Sequence, residues 1–147
     1  MKDEHFDKAI WLEFVNGIHA DKAFGVLGGQ VTEVDDEQIV LELEITDAAR
    51  QPFGLLHGGV SLLLAETAAS THATWNVDLS AIQPVGIEIN GSHLRSATEG
   101  RTRAVGRVLR RSRRFIVHDV EIQRQADGEV LTTARVTNYY RKVRQDE

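Results

Sequence analysis

A nearly uncharged segment with a single acid sets the strongest limit on how this chain can fold. From Gly58 to Val77 the sequence reads GGVSLLLAETAASTHATWNV, and Glu66 is its only Asp, Glu, Lys or Arg. The segment predicts a helix that is apolar almost all round, and such a helix is buried or faces a partner. Burying a carboxylate there without compensation is costly, so Glu66 has either a structural partner or a chemical role.

After this helix the sequence pattern changes to a period of two, which indicates strands. Val85, Ile87 and Ile89 alternate with polar or small residues, and Gly91 is expected to be a bulge or a site of close approach. The predicted strands run from 85 to 94, 101 to 109, 115 to 124 and 130 to 143. Asp127-Gly128 predicts a hairpin between the last two.

Before the long helix, the sequence predicts one amphipathic helix and two strands. The helix spans about residues 4–20, with Phe6, Ile10, Phe14 and Ile18 at helical spacing and Trp11 and Val15 alongside. The strands cover 23–34 and 37–45 around the turn Asp35-Asp36, and a loop follows from 46 to 56. This order of elements predicts an α+β fold, in which an antiparallel sheet wraps around the long helix.

Composition limits the class of protein. The 147 residues suit one domain, 1–147, and 41% hydrophobic with 27% charged residues suits a globular protein. No run of about 18 apolar residues is present, so we expect no membrane partner. The N-terminal sequence MKDEHFDKAIW lacks the basic and apolar blocks of a signal peptide, and the chain has no cysteine. A cytoplasmic location is therefore expected.

Charge is unevenly distributed along the chain. The net charge of -5 argues against nucleic acid as a partner. Residues 101–114 nevertheless hold seven arginines and no acid, namely Arg101, Arg103, Arg107, Arg110, Arg111, Arg113 and Arg114. This basic strip suits either a small polyanionic ligand, such as a nucleotide-bearing substrate, or a solvated hairpin edge that resists aggregation.

The start of the long helix has features that suit a carbonyl group. Gly58 and Gly59 allow a ligand to approach the backbone, and the first helical turn leaves N–H groups unpaired. These donors and the helix dipole favour an oxygen that gains negative charge. The alternative is an ordinary tight turn from a loop into a helix.

Glu66 is the candidate catalytic acid or base. Ser70 lies four residues on, on the same helix face, and can hydrogen-bond the carboxylate or a nearby water. The carboxylate is suited to act as a general base or to attack a carbonyl directly. The alternative is a buried structural glutamate that pairs with Arg95 or with a histidine.

The remaining polar residues narrow the chemistry. His57 and Gln51 precede the helix in the loop and can orient a carbonyl or a water, and His93 has the strand parity that points it inward. His5, His19, His72 and His118 form no set with metal-ligand spacing, so no metal is expected. The chain contains no nucleophile elbow, dinucleotide-binding motif or P-loop.

Together, the run QPFGLLHGG at 51–59, Glu66 and Ser70 resemble the hotdog-fold acyl-CoA thioesterases. The run GIEINGSHLRS at 86–96 is similar to the strand that follows the hotdog helix in those enzymes. The nearest subgroup acts on aryl-CoA and includes phenylacetate-pathway and 1,4-dihydroxy-2-naphthoyl-CoA thioesterases. The similarity covers about residues 22–143.

The resemblance implies a hotdog fold and a role for each site residue. Glu66 would be the nucleophile or general base, supported by Ser70. The Gly58 N–H would polarise the thioester carbonyl with help from His57, and Gln51 would place the carbonyl or water. The predicted substrate-binding residues are Gly59, Thr67, His93, Arg95, Ser112 and Arg113, with His93 in the acyl pocket and the last three at the CoA phosphates.

The predicted function is therefore hydrolysis of a small or aromatic acyl-CoA to the free acid and CoA. CoA is part of the substrate, so no separate cofactor is expected, and the resemblance implies a homodimer that often pairs into a tetramer. A non-catalytic acyl-CoA-binding hotdog protein is the main alternative. An enoyl-CoA hydratase is disfavoured, because hotdog dehydratases place their acid farther beyond the histidine than Glu66 lies from His57.

Overall fold

The computed structural model describes residues 7–143, which form three α-helices, a 3-10 turn and six β-strands. In chain order these are α1 (Lys8–His19), α2 (Ala23–Val26), β1 (Gln30–Val34), β2 (Gln38–Glu44), the 3-10 turn (Asp47–Ala49), α3 (Gly58–His72), β3 (Ile82–His93), β4 (Arg101–Arg111), β5 (Phe115–Arg124) and β6 (Val130–Lys142). No helix in this part of the chain is long and apolar enough to cross a membrane.

The six strands form one antiparallel sheet in the order β1-β2-β4-β5-β6-β3, so β1 and β3 are its edges. Helix α3 packs against every strand from β2 to β3 across one face of this sheet. The predicted α+β architecture, a sheet around one central helix with an N-terminal helix beside it, is confirmed. This is the hotdog fold that the resemblance implied.

Small side chains bring α3 close to the sheet. Ala65, Ala68 and Ala69 are fully buried on the face that α3 turns to the strands. On β4, a Cβ added to Gly106 would lie 3.2 Å from Ile39 Cγ2 and 3.6 Å from the Ala68 Cβ. The close fit follows from these residues, since larger side chains would push the helix away from the sheet.

Strand β2 shows the predicted alternation, with one addition. Ile39, Leu41 and Leu43 are 0% exposed and face the core. Val40 points to the other face but is also buried, opposite Val105 of β4. The outer face of the sheet therefore has a small apolar centre within a largely charged surface.

Helix α1 is shorter than predicted and packs through a different face. The Asp7 carboxylate caps it by accepting from the N–H groups of Ala9 and Ile10. Trp11 and Val15 are buried, and Trp11 packs edge-to-face on Trp75 with ring centroids 5.0 Å apart. The remaining apolar stripe is exposed, with fractions of 68% for Ile10, 55% for Phe14 and 53% for Ile18. Phe6 and His5 lie outside the described residues.

The predicted strand over 23–34 is wrong in its first half, where the chain forms α2 and a turn. Phe24 is buried there, and a Cβ on Gly29 would lie 2.0 Å from the ring atom Cε2. Gly28 has φ +86°, a conformation that favours glycine. Residues 23–29 therefore fold over the Phe24 ring, and β1 begins only at Gln30.

The two predicted turns are present. Asp35 closes the first, because its side chain accepts from the N–H groups of Glu37 and Gln38. The β5–β6 hairpin at Asp127-Gly128 is confirmed as well, although its loop has five residues, 125–129, instead of two. Gly128 has φ +73°, and the Asp127 side chain accepts from the Glu129 N–H.

Strand β3 contains a β-bulge that the alternation did not predict. Its pairing with β6 shifts between Gly86 and Glu88, so Ile87 is the extra residue and is 55% exposed. A Cβ on Gly86 or on Gly91 would collide with α3 side chains, so both glycines face the helix although they are five residues apart. The expectation of close approach at Gly91 is confirmed, while the bulge lies at Ile87.

A pair of histidines is fully buried below the C-terminal end of α3. His72 Nε2 lies 2.7 Å from the Asp35 carbonyl oxygen, and His72 Nδ1 lies 2.8 Å from His118 Nε2. A carbonyl only accepts, so Nε2 of neutral His72 carries the proton and Nδ1 accepts one from His118. His118 Nδ1 is then an acceptor, and it has no partner among residues 7–143. Burial lowers the pKa of His72 and lowers that of His118 to about 3.

Candidate active site

The loop before α3 ends at His57, which caps the helix. His57 Nδ1 accepts from the Gly59 N–H at 2.8 Å, so the imidazole supports the first turn and its ring is exposed. The Gly58 N–H has no acceptor within the described chain. Of the two glycine amides, the one at Gly58 is therefore available to a ligand oxygen, at the positive end of the helix dipole.

His93 of β3 lies directly against this helix start. A Cβ on Gly58 would be 2.7 Å from His93 Nε2, so only glycine fits beside the ring in its present position. On its other side, His93 Nδ1 is 2.9 Å from the Thr132 hydroxyl of β6. The predicted inward direction of His93 is correct, and the bulge at Ile87 accounts for it.

A cleft of about 380 Å³ opens at this end of α3. It brings together four of the predicted residues, namely Gln51, Gly58, His93 and Arg95, with an apolar lining that includes Leu56 and Leu131. The Gln51 side-chain oxygen accepts from the N–H groups of Phe53 and Leu55, which holds the loop in shape. Its amide nitrogen is the group left for a ligand in the cleft.

Glu66 lies two turns further along α3 and faces β3. The Ser70 hydroxyl is 3.4 Å from Glu66 Oε1. The carboxylate occupies the space above Gly86, where an added Cβ would lie 2.1 Å from Oε1. Neither Arg95 nor a histidine pairs with Glu66, and no cation among residues 7–143 forms a salt bridge with it. The interpretation of Glu66 as a structural ion-pair partner is therefore wrong.

Glu66 does not share a cleft with the Gly58 amide of its own chain. The helical rise places the two residues roughly 12 Å apart along the axis. Glu66 borders a different, largely apolar recess of about 310 Å³ between α1 and α3, together with Thr67, Ser70 and Ile18. One chain therefore presents two separate recesses along α3, one at its N-terminal end and one beside its middle.

Three of the seven arginines of the basic strip form salt bridges with acids of the sheet, and a fourth donates to a backbone carbonyl. Arg101 pairs with Glu42, Arg103 with Glu33 and Arg107 with Glu121, while Arg111 donates to the Asp36 carbonyl. Arg110, Arg113 and Arg114 have no salt-bridge partner among residues 7–143. The strip is thus mainly a charged sheet surface. The three guanidinium groups without a salt-bridge partner among residues 7–143 lie at or beside the β4–β5 hairpin.

The residues predicted to contact the CoA phosphates differ in whether their side chains already have partners within the described chain. Ser112 shapes the hairpin, because its hydroxyl accepts from the N–H groups of Arg114 and Phe115 and donates to the Phe115 carbonyl. Arg113 beside it is exposed. Arg95, at the other end of the sheet, is held 2.6 Å from Glu129.

One polar residue near Glu66 was missed from the sequence. Asn138 of β6 is 0% exposed, and its side chain lies 3.0 Å from the Ser70 hydroxyl. Its position in the alternation of β6 predicts burial, but nothing in the sequence joins it to a helix 68 residues earlier. Within the described chain, no group of three or more His, Cys, Asp or Glu residues is placed to hold a metal ion.

Comparison with known proteins gives consistent matches. The family model described as the thioesterase superfamily matches residues 53–131. The chain is 36% identical over 126 residues to a putative esterase of Pseudomonas aeruginosa, with 86% of each chain covered. It is 34% identical over 130 residues to 1,4-dihydroxy-2-naphthoyl-CoA hydrolase of Escherichia coli, covering 88% of this chain and 94% of that one.

Solved structures agree with these matches. The crystal structure of a mutant thioesterase from Pseudomonas aeruginosa superposes with a TM-score of 0.86 at 33% identity, covering 90% of this chain and 94% of the other. A thioesterase from Haemophilus influenzae also gives a TM-score of 0.86, at 26% identity, with 92% and 94% covered.

Proposed function

The chain belongs to the thioesterase superfamily, and from this premise we propose that it hydrolyses a small or aromatic acyl-CoA to the free acid and CoA, with Glu66 as the reacting carboxylate. The predicted enzyme class, a thioester hydrolase, is confirmed by the same relatives. The relatives named for 1,4-dihydroxy-2-naphthoyl-CoA hydrolysis support an aromatic acyl group.

The observation that carries this proposal is that no cation among residues 7–143 forms a salt bridge with Glu66. A carboxylate neutralised by arginine would be held in a fixed ion pair, whereas the hydrogen-bond partner of this one within residues 7–143 is the neutral Ser70 hydroxyl. Its oxygens are therefore free to take a proton from water or to attack the thioester carbon. Both routes produce a tetrahedral intermediate whose negatively charged oxygen needs a donor.

The Gly58 N–H is that donor in our proposal. It is unpaired within residues 7–143, and it lies at the helix N-terminus, where partial positive charge is concentrated. His57 holds the turn through the Gly59 N–H, and the Gln51 amide nitrogen contributes a second donor to the carbonyl or the water. His93 borders the same cleft and lines the acyl group.

We infer a second copy of the chain from the distance between the Glu66 and Gly58 recesses. Glu66 and Gly58 of one subunit cannot reach the same carbonyl across roughly 12 Å, so Glu66 acts with Gly58 of the partner subunit. The exposed edge of β3 is the surface that joins them, since an unpaired strand edge pairs readily with its own copy. We propose a homodimer through β3, which pairs further into a tetramer.

We propose that β3 pairs with its own copy about Asn90. Ile89 and Gly91, on either side of Asn90, both face α3, so antiparallel pairing about Asn90 matches each with the other across the dimer. Glu66, above Gly86, then comes close to His93 of the partner subunit. Each composite site contains the Glu66 half of one chain and the Gly58 half of its partner.

The same pairing accounts for the proposed phosphate contacts at opposite ends of the sheet. Arg113 lies at the end of the sheet that holds Glu66, and Arg95 lies in the cleft with Gly58. In the dimer they approach one composite site from different subunits. Gly59, Thr67 and Ser112 complete the proposed binding surface.

The experiment that tests the proposal is thiol release from a panel of aryl, short-chain and medium-chain acyl-CoAs. We expect the unmodified enzyme to release CoA and Glu66→Gln, a near-isosteric change, to lower kcat by about 10³-fold with its melting temperature retained, because it removes the reacting carboxylate. Near-normal release by Glu66→Gln would contradict the role of Glu66. Thermal stabilisation by acyl-CoA without any thiol release would instead indicate a binding protein.

A further inference from the structure

Asn138 has a contact that the proposed mechanism does not use. Its side chain is fully buried on β6, 3.0 Å from Ser70 Oγ, and Ser70 Oγ is 3.4 Å from Glu66 Oε1. Three side chains therefore form a continuous row from the core of the protein to the reacting carboxylate.

The protons in this row can be counted. A serine hydroxyl has one proton to donate. If the Asn138 oxygen faces Ser70, that proton is drawn to Asn138 at 3.0 Å in preference to Glu66 at 3.4 Å. The Asn138 nitrogen Nδ2 then has no acceptor among residues 7–143, although it is buried. An unsatisfied buried donor costs roughly 1–3 kcal/mol.

The opposite orientation of the amide removes both difficulties. The oxygen and nitrogen of an asparagine side chain are distinguished by their hydrogen-bond partners. With Nδ2 towards Ser70, the amide donates to Ser70 Oγ, and the serine proton is free for Glu66. The oxygen that takes the other place is an unpaired acceptor, which proteins tolerate better than an unpaired donor.

We propose that Asn138 is a positioning residue for thioester hydrolysis: its side-chain amide donates to Ser70, and Ser70 in turn donates to Glu66 and fixes the carboxylate above Gly86. Asn138 does not touch the substrate. The inference rests on the proposed function of Glu66, and it extends the catalytic set into the core. Fixing the carboxylate matters because a flexible glutamate must otherwise lose rotamer freedom in each turnover.

Kinetics of single and double variants test this relay. Ser70→Ala and Asn138→Leu each remove one link, so we expect each to lower kcat about tenfold while KM changes less than about twofold. The double variant should be no slower than Ser70→Ala alone, because the relay is already broken. A further loss from Asn138→Leu in the Ser70→Ala background would overturn the inference.

Val136→Ala is the matched control. Val136 is also 0% exposed on β6, two residues from Asn138, and its apolar side chain can form no hydrogen bond with the row. Its truncation should lower the melting temperature and leave kcat unchanged. If kcat falls as much in Val136→Ala as in Asn138→Leu, Asn138 acts only through packing and the inference fails.

The orientation of the amide is measurable without any substitution, which keeps the test valid even if Asn138→Leu does not fold. We expect nuclear Overhauser contacts between the Asn138 side-chain NH₂ protons and the Ser70 β protons. Their absence would overturn the relay. If Glu66→Gln is active, the proposed function fails; if it is inactive while Ser70→Ala and Asn138→Leu match the unmodified kcat, only the positioning inference fails.

Discussion

At the scale of single residues, glycines hold the site open. Gly58 gives space to His93, and Gly86 gives space to the Glu66 carboxylate. The sequence indicated Glu66, Ser70 and Gly58 because all three lie on one predicted helix, with Ser70 four residues after Glu66 on the same face. It could not indicate Gly86 or Asn138, because their relation to Glu66 exists only after β3 and β6 have packed beside α3.

Gly86→Ala tests how tightly this space is matched to the carboxylate. The added methyl would lie 2.1 Å from Glu66 Oε1, and the flexible carboxylate would move in response while the fold persists. We expect kcat to fall by at least about tenfold with little change in melting temperature, since a displacement of about 1 Å costs that much or more. Thiol release and thermal unfolding measure the two effects.

Gly17→Ala is the control for this substitution. Gly17 lies within α1, and a Cβ there contacts nothing within 4 Å. The change should leave kcat unchanged and stabilise the helix by about 0.5–1 kcal/mol. Equal losses of activity in both variants would show that Gly86 has no special relation to Glu66.

At the scale of elements, periodicity predicted most of the sheet and failed at two places. The strands of the central sheet follow the period of two because one face of each strand packs on α3. The failures at residues 23–29 and at Ile87 have tertiary causes: the Phe24 ring is buried under a turn, and an extra residue is accommodated opposite β6. Neither cause is visible in a local pattern.

Strand β3 also gives a direct test of the proposed dimer. The chain has no cysteine, so a single introduced cysteine can form a disulfide only between subunits. Pairing about Asn90 places that residue opposite its own copy, within the roughly 4.4–6.8 Å between Cα atoms that a disulfide requires. We expect Asn90→Cys to form a covalent dimer under mild oxidation, seen by non-reducing electrophoresis.

Gln125→Cys provides the comparison. Gln125 is exposed in the β5–β6 loop, away from the β3 edge. The Gln125→Cys protein should therefore remain monomeric on the same gel at the same protein concentration. Equal crosslinking of both variants would indicate random collision, and no crosslinking of Asn90→Cys would contradict this register.

At the scale of the whole molecule, the fold class and the family could be predicted from the sequence. The placement of Glu66 and Gly58 in separate recesses of one chain could not. Gly58 and Glu66 are close in sequence but border different recesses along α3, because the helix between them spans roughly 12 Å. The single domain 1–147 and the cytoplasmic location stay predictions.

Global stability should depend on pH through the buried histidine pair. His72 and His118 have folded pKa values below the unfolded value of 6.5, about 3 for His118. Their contribution is complete above about pH 6.5 and declines as the pH falls towards 3, because only the unfolded chain takes up these protons. Each group contributes a slope of up to about 1.4 kcal/mol per pH unit.

Urea unfolding between pH 7 and 5 measures this dependence. We expect the unmodified protein to lose more stability over this interval than His118→Leu, by about 2 kcal/mol, since one depressed histidine is removed. His118→Leu also removes the hydrogen bond to His72, so the slope of stability against pH is compared and not its absolute value. Parallel curves for the two proteins would show that His118 does not bind its proton preferentially after unfolding.

The extra residue in β3 has a consequence for how this chain can change in length. Deleting Ile87 would remove the bulge and leave Gly86 and Gly91 four residues apart, so regular alternation would keep both glycines facing α3. The pairing of β3 with β6 therefore does not depend on the extra residue, and the largely exposed loop at 125–129 is a second place that can absorb a change of length. The extra residue instead changes the outer edge of β3, where the Ile87 side chain is 55% exposed.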